Sequence, residues 1–286
     1  LLGIFLVTAA NSASAQAPQV AISTGRDGGS YDEIGRRLQA KMRAEHGFPI
    51  AVQQSSGSIQ NLARLADPSG PVALALTQAD ALAQFLQMNA EFAREYIVLG
   101  DAGKECVVLI GSKRSGIRSF AQLVATPGAA ISVEDPGSGA AVTSRYLLGM
   151  NPGLGTPRIV HTEIMEALLQ LKVGGAHTDL RAAMIVQRPS TKSEAVKVVL
   201  ANPDDYLLVP IPGAELKSGS LPDESAVHTF ERVRVGSEGT TGGIEVETVC
   251  TRSLLLASKR KLDRSLRSKL SGLMLTSGTE VFGKRD

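Results

Sequence analysis

Residues 22–38 read ISTGRDGGSYDEIGRRL: the end of an apolar run, a loop holding Gly25, Gly28 and Gly29, then a charged segment with helical spacing. Glycines between a strand and a helix let the backbone approach a ligand closely, and the first helical turn carries amide N–H groups without partners inside the helix. Those amides suit a carboxylate or another anion. The same residues also read as a tight turn with Ser30 as its cap. A dinucleotide site needs G-x-G-x-x-G here and an acidic residue closing the following strand. Neither is present: the glycines are spaced differently, and the next strand ends in Gln53-Gln54. A G-x-x-x-x-G-K-[ST] phosphate loop is absent as well.

Outward from this stretch, apolar runs alternate with helical patterns. QVAIS precedes a helix over 30–45, IAVQQ one over 58–66, and VALAL one over 79–88. Such pairs with short loops predict a parallel sheet with crossover helices, whose ligands sit at the carboxyl ends of the strands. The loops there are TGRDGGS, SSGSI and TQAD. In the second, Ser55, Ser56 and Ser58 offer hydroxyls, Gly57 admits close approach, and Asn61 lies one turn into the helix. The pattern then recurs. CVVLIGS is a strand, GIRSFAQLV a short helix capped by Ser119, and AAISV a strand running into DPGSG, which opens onto another helix. There Pro136 stops the strand, Gly137 and Gly139 permit unusual dihedrals, and Ser138 with the amides near Ala140 faces whatever lies at the helix start. A helix over 163–173 and strands LRAAMIV and YLLVPI complete the second unit. Residues 212–243 read as loops around a strand near VHTFERVRV. VETVCTRSLLLAS is a strand, and residues 259–278 read as a terminal amphipathic helix with a solvated start at Lys259-Arg260-Lys261. Two α/β units with glycine and serine loops facing one another would form a two-sided clamp.

Bulk properties narrow the function. The chain has 286 residues, 43% hydrophobic and 20% charged, enough for one large or two ordinary domains. A net charge of +2 without a basic stripe gives no footprint for nucleic acid. The opening LLGIFLVTAANSASA is a short apolar run ending in Ala13-Ser14-Ala15, the pattern of a secretory signal over residues 1–15 with Gln16 as the first mature residue; a buried first strand is the alternative. The run is too short to span a bilayer. In an oxidising compartment Cys106 and Cys250 either pair or stay as two buried thiols. His46, His161, His177 and His228 sit in unrelated contexts and read as solvated or core residues, without metal-ligand spacing. No G-x-S-x-G elbow or flanked nucleophile is present, so no enzyme, cofactor or metal is expected.

Taken together, ISTGRDGGSY (22–31), QQSSGSIQNL (53–62), LTQADAL (76–82), GIRSFAQL (116–123), AAISVEDPGSGAAVTSRYLL (129–148) and VETVCTRSLLLAS (246–258) resemble the TAXI family, the solute receptors of TRAP transporters. The resemblance runs from about Val20 to Leu275, and the order and spacing of the motifs make it specific. It implies an α/β, two-lobed type II periplasmic binding protein fold, each lobe a sheet flanked by helices, with solute held in the cleft between them. Lobe one would comprise residues 16–105 and 251–286, and lobe two residues 106–250. Cys106 and Cys250 would then fall at the two crossings, where a hinge disulfide is expected. By matching position, the resemblance implies ligand contacts from Gly29, Ser30, Tyr31, Ser56, Gly57, Ser58, Asn61, Gln78 and Asp80 in lobe one. Lobe two would add Gly137, Ser138, Gly139 and Ala140, with Gln187 and Arg188. Arg188 reads either as a bidentate carboxylate clamp or as a surface residue. The chain departs from the family in having no Trp, and in Asp32-Glu33, which would place negative charge near the cleft mouth. The implied role is a monomeric periplasmic receptor, of the Gram-negative type, for a small carboxylate or amino acid, delivering it to TRAP permease subunits. A sensory binding protein signalling to a membrane kinase is the alternative. An exported hydrolase would need a nucleophile and base that the chain does not show.

Overall fold

The computed structural model describes residues 20–174, 178–237 and 242–283. The signal-like residues 1–15, Gln16 and His177 lie outside them. Ten strands form one mixed sheet in the order β2-β1-β3-β10-β4-β7-β5-β6, with β8 added against β4 and β9 against β10. The strands are β1 (Ala21–Ser23), β2 (Ala51–Gln53), β3 (Val72–Gln78), β4 (Tyr96–Ser112), β5 (Ala130–Ser132), β6 (Arg158–Val160), β7 (Leu180–Gln187), β8 (Tyr206–Leu208), β9 (His228–Val235) and β10 (Ile244–Ser258). The helices are α1 (Ser30–His46), α2 (Ser58–Ala66), α3 (Ala79–Met88), α4 (Phe120–Ala125), α5 (Gly139–Met150), α6 (Ile164–Gly174), α7 (Glu194–Ala201) and α8 (Arg264–Phe282).

The sheet has two parallel ends, β2-β1-β3 and β7-β5-β6, joined through the antiparallel pair β4 and β10. These two long strands serve both ends. β10 pairs with β3 through residues 253–257 and with β9 through 244–251, and β4 reaches β7 through 106–111. Register shifts in the β4–β10 ladder lie on the β3 side, between Ser253 and Leu254 and between Leu255 and Leu256, and such bulges bend a strand. Between the two ends Cys106 stands opposite Cys250, and the two form a disulfide with Cα atoms 3.9 Å apart.

Helices cover both faces, which is why β3 is buried at every position. On one face of the first end, Leu38 and Met42 of α1 pack with Leu266, Leu270 and Leu273 of α8 over Ile22, Leu74 and Leu255. On the other, α2 and α3 share a core with Val142 and Tyr146 of α5 and with Leu221 and Val227, so apolar side chains of both ends meet. The buried apolar positions of α1 (31, 34, 35, 38 and 42) follow the helical repeat, with Asp32 buried beside them, and Gly47, at φ 63°, ends the helix with its N–H bonded to the Arg43 carbonyl and the Phe48 N–H to that of Met42.

Several expectations need correction. The terminal helix starts at Arg264, not Lys259: Asp263 caps it, its Oδ1 accepting from Leu266 N at 2.7 Å. Lys259, Arg260 and Lys261 form the preceding turn and bind other elements, with Lys261 Nζ donating to the Val72 and Arg64 carbonyls. Asp263→Ala should therefore cost about 1 kcal/mol in urea unfolding, whereas a cap at residue 258 or 259 would leave stability unchanged. The strand read as 106–112 begins at Tyr96, because pairing with β10 overrides Gly100, Gly103 and the charges at 101, 104 and 105. β6 and α7 were not read from the sequence.

Candidate functional site

The carboxyl ends of β1, β2, β3 and β5 point into the space between the two sheet ends, and the helix that follows each begins there. A cavity of about 150 Å³ lies at this point. On the β1 side the walls come from Gly25, Gly29, Ser30 and Tyr31 before and at the start of α1, from Gly57 and Ser58 at α2, and from Gln78 at the end of β3. Gly139 at the start of α5 faces them, and Glu105 of β4 and Val186 of β7 form the remaining wall. A larger open depression of about 850 Å³ lies between the end of α1 and α8, where no helix starts converge on it from two sides.

Several wall groups are held by their neighbours. Ser58 Oγ accepts from Gln78 N at 3.1 Å, and Ser55 Oγ accepts from Gly57 N at 3.0 Å while donating to the Thr24 carbonyl. Tyr31 Oη donates to Glu105 Oε2 at 3.2 Å and lies 3.3 Å from Ser253 Oγ. Burial, and then the charge of Glu105, push the Tyr31 phenol well above its ordinary range, so it remains a donor. Burial also lifts the Glu105 carboxyl to about 7, against the hydroxyls of Ser253 and Tyr31 and the charge of Arg188, with Asp80 adding to the rise.

The structure brings seven of the expected contact residues to the cavity: Gly29, Ser30, Tyr31, Gly57, Ser58, Gln78 and Gly139. The others do different work. Asn61 is buried and satisfied locally, accepting from Ser23 Oγ and donating to the Thr24 and Leu76 carbonyls. Ser56 is exposed and holds Gln60. Ser138 caps α5, donating to the Val133 carbonyl at 2.6 Å and accepting from Ala141 N, and Ala140 is buried behind it. Gln187 donates to the Thr191 carbonyl at 2.7 Å. Arg188 bonds the Ala102 and Phe282 carbonyls, at 2.9 and 2.7 Å, rather than standing open at the surface. Asp32 does not charge the cleft mouth: it is buried and turned toward its own loop, accepting from Gly28 N and Arg36 Nε, while Glu33 pairs with Arg37 in solvent.

Asp80, Gly137 and Gly57 join the two ends of the sheet. Asp80 Oδ2 accepts from Thr143 Oγ1 of α5 at 2.6 Å and lies 3.2 Å from His228 Nε2 of β9, the acid and imidazole fully buried. A Cβ built on Gly57 would overlap the Gly137 carbonyl oxygen, and Arg26 forms an ion pair with Asp135 nearby. Sequence reading missed Gly25, Glu105 and Val186 in the wall, and Thr143 and His228 beside Asp80. The one local signal for Glu105 was an acid directly before an apolar strand. Among the described residues no three His, Cys, Asp or Glu cluster at metal-binding distance, and no helix is long and apolar enough to cross a membrane.

Two parallel sheet ends joined by a pair of long antiparallel strands, with helix starts meeting between them, make up the type II periplasmic solute-binding fold. The chain belongs to the NMT1-like family, which it matches over residues 22–271. Among solved structures, it resembles XAC2383 from Xanthomonas citri bound to chloride ion, with 12% identity, a TM-score of 0.55, and 91% of this chain and 84% of that one covered. The same protein bound to ATP aligns at 12% identity with a TM-score of 0.54, covering 91% and 84%. A structure described as a periplasmic transporter aligns at 15% identity with a TM-score of 0.51, covering 92% and 84%. No curated protein is significantly similar in sequence.

Proposed function

We propose that this protein is an exported solute receptor of the TAXI type, which captures a small carboxylate or amino acid between two lobes and delivers it to a TRAP-type permease. Residues 16–105 with 251–286 form one lobe in this reading and residues 106–250 the other. The observation that carries it is a single cavity whose walls come from both sheet ends, with the first turns of α1, α2 and α5 all meeting there. Backbone amides at those starts supply fixed donors for an anionic group. The volume, that of about five water molecules, suits a small solute. Contacts that exist only when the lobes meet, such as Gly57 against Gly137 and Arg26 with Asp135, favour the shut arrangement when solute adds to them. The disulfide agrees with a periplasmic location, and no catalytic step is assigned.

The test is a thermal-shift screen of refolded protein against amino acids, dicarboxylates and oxoacids, followed by calorimetry. A solute at 100 times its Kd adds about 2.7 kcal/mol of stability, a rise on the order of 5 °C in Tm. If none of these solutes moves the melting point, the receptor reading is wrong; turnover of a hit would replace it with an enzyme.

A further inference from the structure

Two acceptor-bearing side chains line the cavity, and the oxygen of one of them, Gln78, lacks a donor. Gln78 is 2% exposed, and its Oε1 has no hydrogen-bond partner although the amide lies against the α5 start, where a Cβ on Gly139 would stand 2.9 Å from Nε2 and 3.0 Å from Oε1. A buried amide oxygen left unpaired is costly, so its place beside a cavity marks where a ligand donor belongs. Glu105, 8% exposed, lines the same cavity and receives the Tyr31 hydroxyl on one oxygen. Donor-rich helix starts and an acceptor-rich wall together call for a solute with an anionic end and an N–H-bearing end.

We propose that Glu105 and Gln78 receive a protonated amine of the solute, and that Glu105 releases its proton to solvent as the solute enters. This inference rests on the receptor reading above. The exchange balances: a carboxylic acid and an ammonium become a carboxylate–ammonium pair plus one free proton, with no covalent bond to the solute made or broken. The groups around Glu105 are Tyr31 from α1, the Ser253 hydroxyl from β10, Asp80 from α3, and Arg188 after β7. Tyr31 stays neutral, Arg188 favours the carboxylate and Asp80 opposes it, and burial leaves the acid poised at about 7. An ammonium at hydrogen-bond distance adds the missing positive charge and favours the ionised form.

The direction of the pH dependence follows. The solute needs the carboxylate, so affinity is full above pH 7 and is lost as pH falls through it. Between pH 8 and pH 5.5 the ionised fraction of a group titrating near 7 drops about thirtyfold, and Kd should rise by the same factor. The experiment measures Kd from pH 5.5 to 8 for L-alanine and L-glutamate against pyruvate and 2-oxoglutarate, their deaminated counterparts. Calorimetry at pH 6.5 in two buffers of different ionisation enthalpy counts the protons released. The amino acids should bind with the thirtyfold profile and release most of one proton, the oxoacids should bind at least tenfold more weakly, and Glu105→Gln should give a flat, weaker profile. Oxoacids binding as tightly as amino acids, or a flat wild-type profile, would overturn the proposal while leaving the receptor reading in place. If neither set binds at any pH, the receptor reading falls and the proposal with it. Should Glu105→Gln fail to fold, the wild-type profile and the proton count still decide.

Discussion

Gly57→Ala is expected to weaken solute capture by about a hundredfold or more, equivalent to roughly 3 kcal/mol, with little change in secondary structure. Two observations combine at this residue. Its φ of 138° is a conformation that side-chain-bearing residues rarely adopt, and a Cβ there would overlap the Gly137 carbonyl oxygen of the opposite lobe. The overlapping atom belongs to the backbone, so no flexible side chain can move aside. The lobes of the variant must stay further apart, and solute contacts that need both walls are lost. The measurement is calorimetric affinity for the best solute of the screen, with the radius of gyration from small-angle scattering before and after its addition. Gly149→Ala on α5, where a Cβ meets nothing within 4 Å, is the control and should bind like the wild type. Wild-type affinity in Gly57→Ala would show that close contact between residues 57 and 137 plays no part in capture.

Replacing both Cys106 and Cys250 with serine is expected to lower stability by about 2–5 kcal/mol. The two residues are 144 apart in sequence, and both are buried where β4 and β10 run side by side between the lobes. Joining positions so far apart removes many conformations from the unfolded chain; the loop-closure relation puts this at about 5 kcal/mol, before native-state effects reduce it. Because residues 107–249 lie inside that loop, the bond limits that whole segment in the unfolded state. Urea unfolding of the wild type with and without reductant, beside the double variant, checks this. Equal midpoints for all three would mean that the bond contributes nothing to stability.

The sites of these changes differ in how far local sequence pointed to them. The glycine and serine loops at the starts of α1, α2 and α5 were readable because turn chemistry depends on a few adjacent residues, although the residue at the α1 cap is Gly29 and not Ser30, and only Ser138 at α5 caps with its side chain. α2 and α3 lie where the periodicity puts them, at 58–66 and 79–88. The early part of β4 was not readable, since Gly100, Gly103 and three charges disfavour a strand until β10 is paired beside it. Charge on α1 was legible as composition but not as direction: Asp32 turns to Gly28 and Arg36, a choice made by the fold of its own loop.

By itself the sequence determined an α/β chain with repeated strand and helix units and anion-friendly loops at their junctions, because hydrophobic period and turn residues act over a few positions. Only the tertiary structure decided which loop residues face the cavity and which hold the scaffold. Asn61 and Ser138 turned inward to satisfy buried backbone groups, and Asp80 was taken by Thr143 and His228, the latter 148 residues away. Glu105 entered the wall through a hydroxyl 74 residues distant. Contacts across such separations are set by the order of strands in the sheet, to which no local pattern is sensitive.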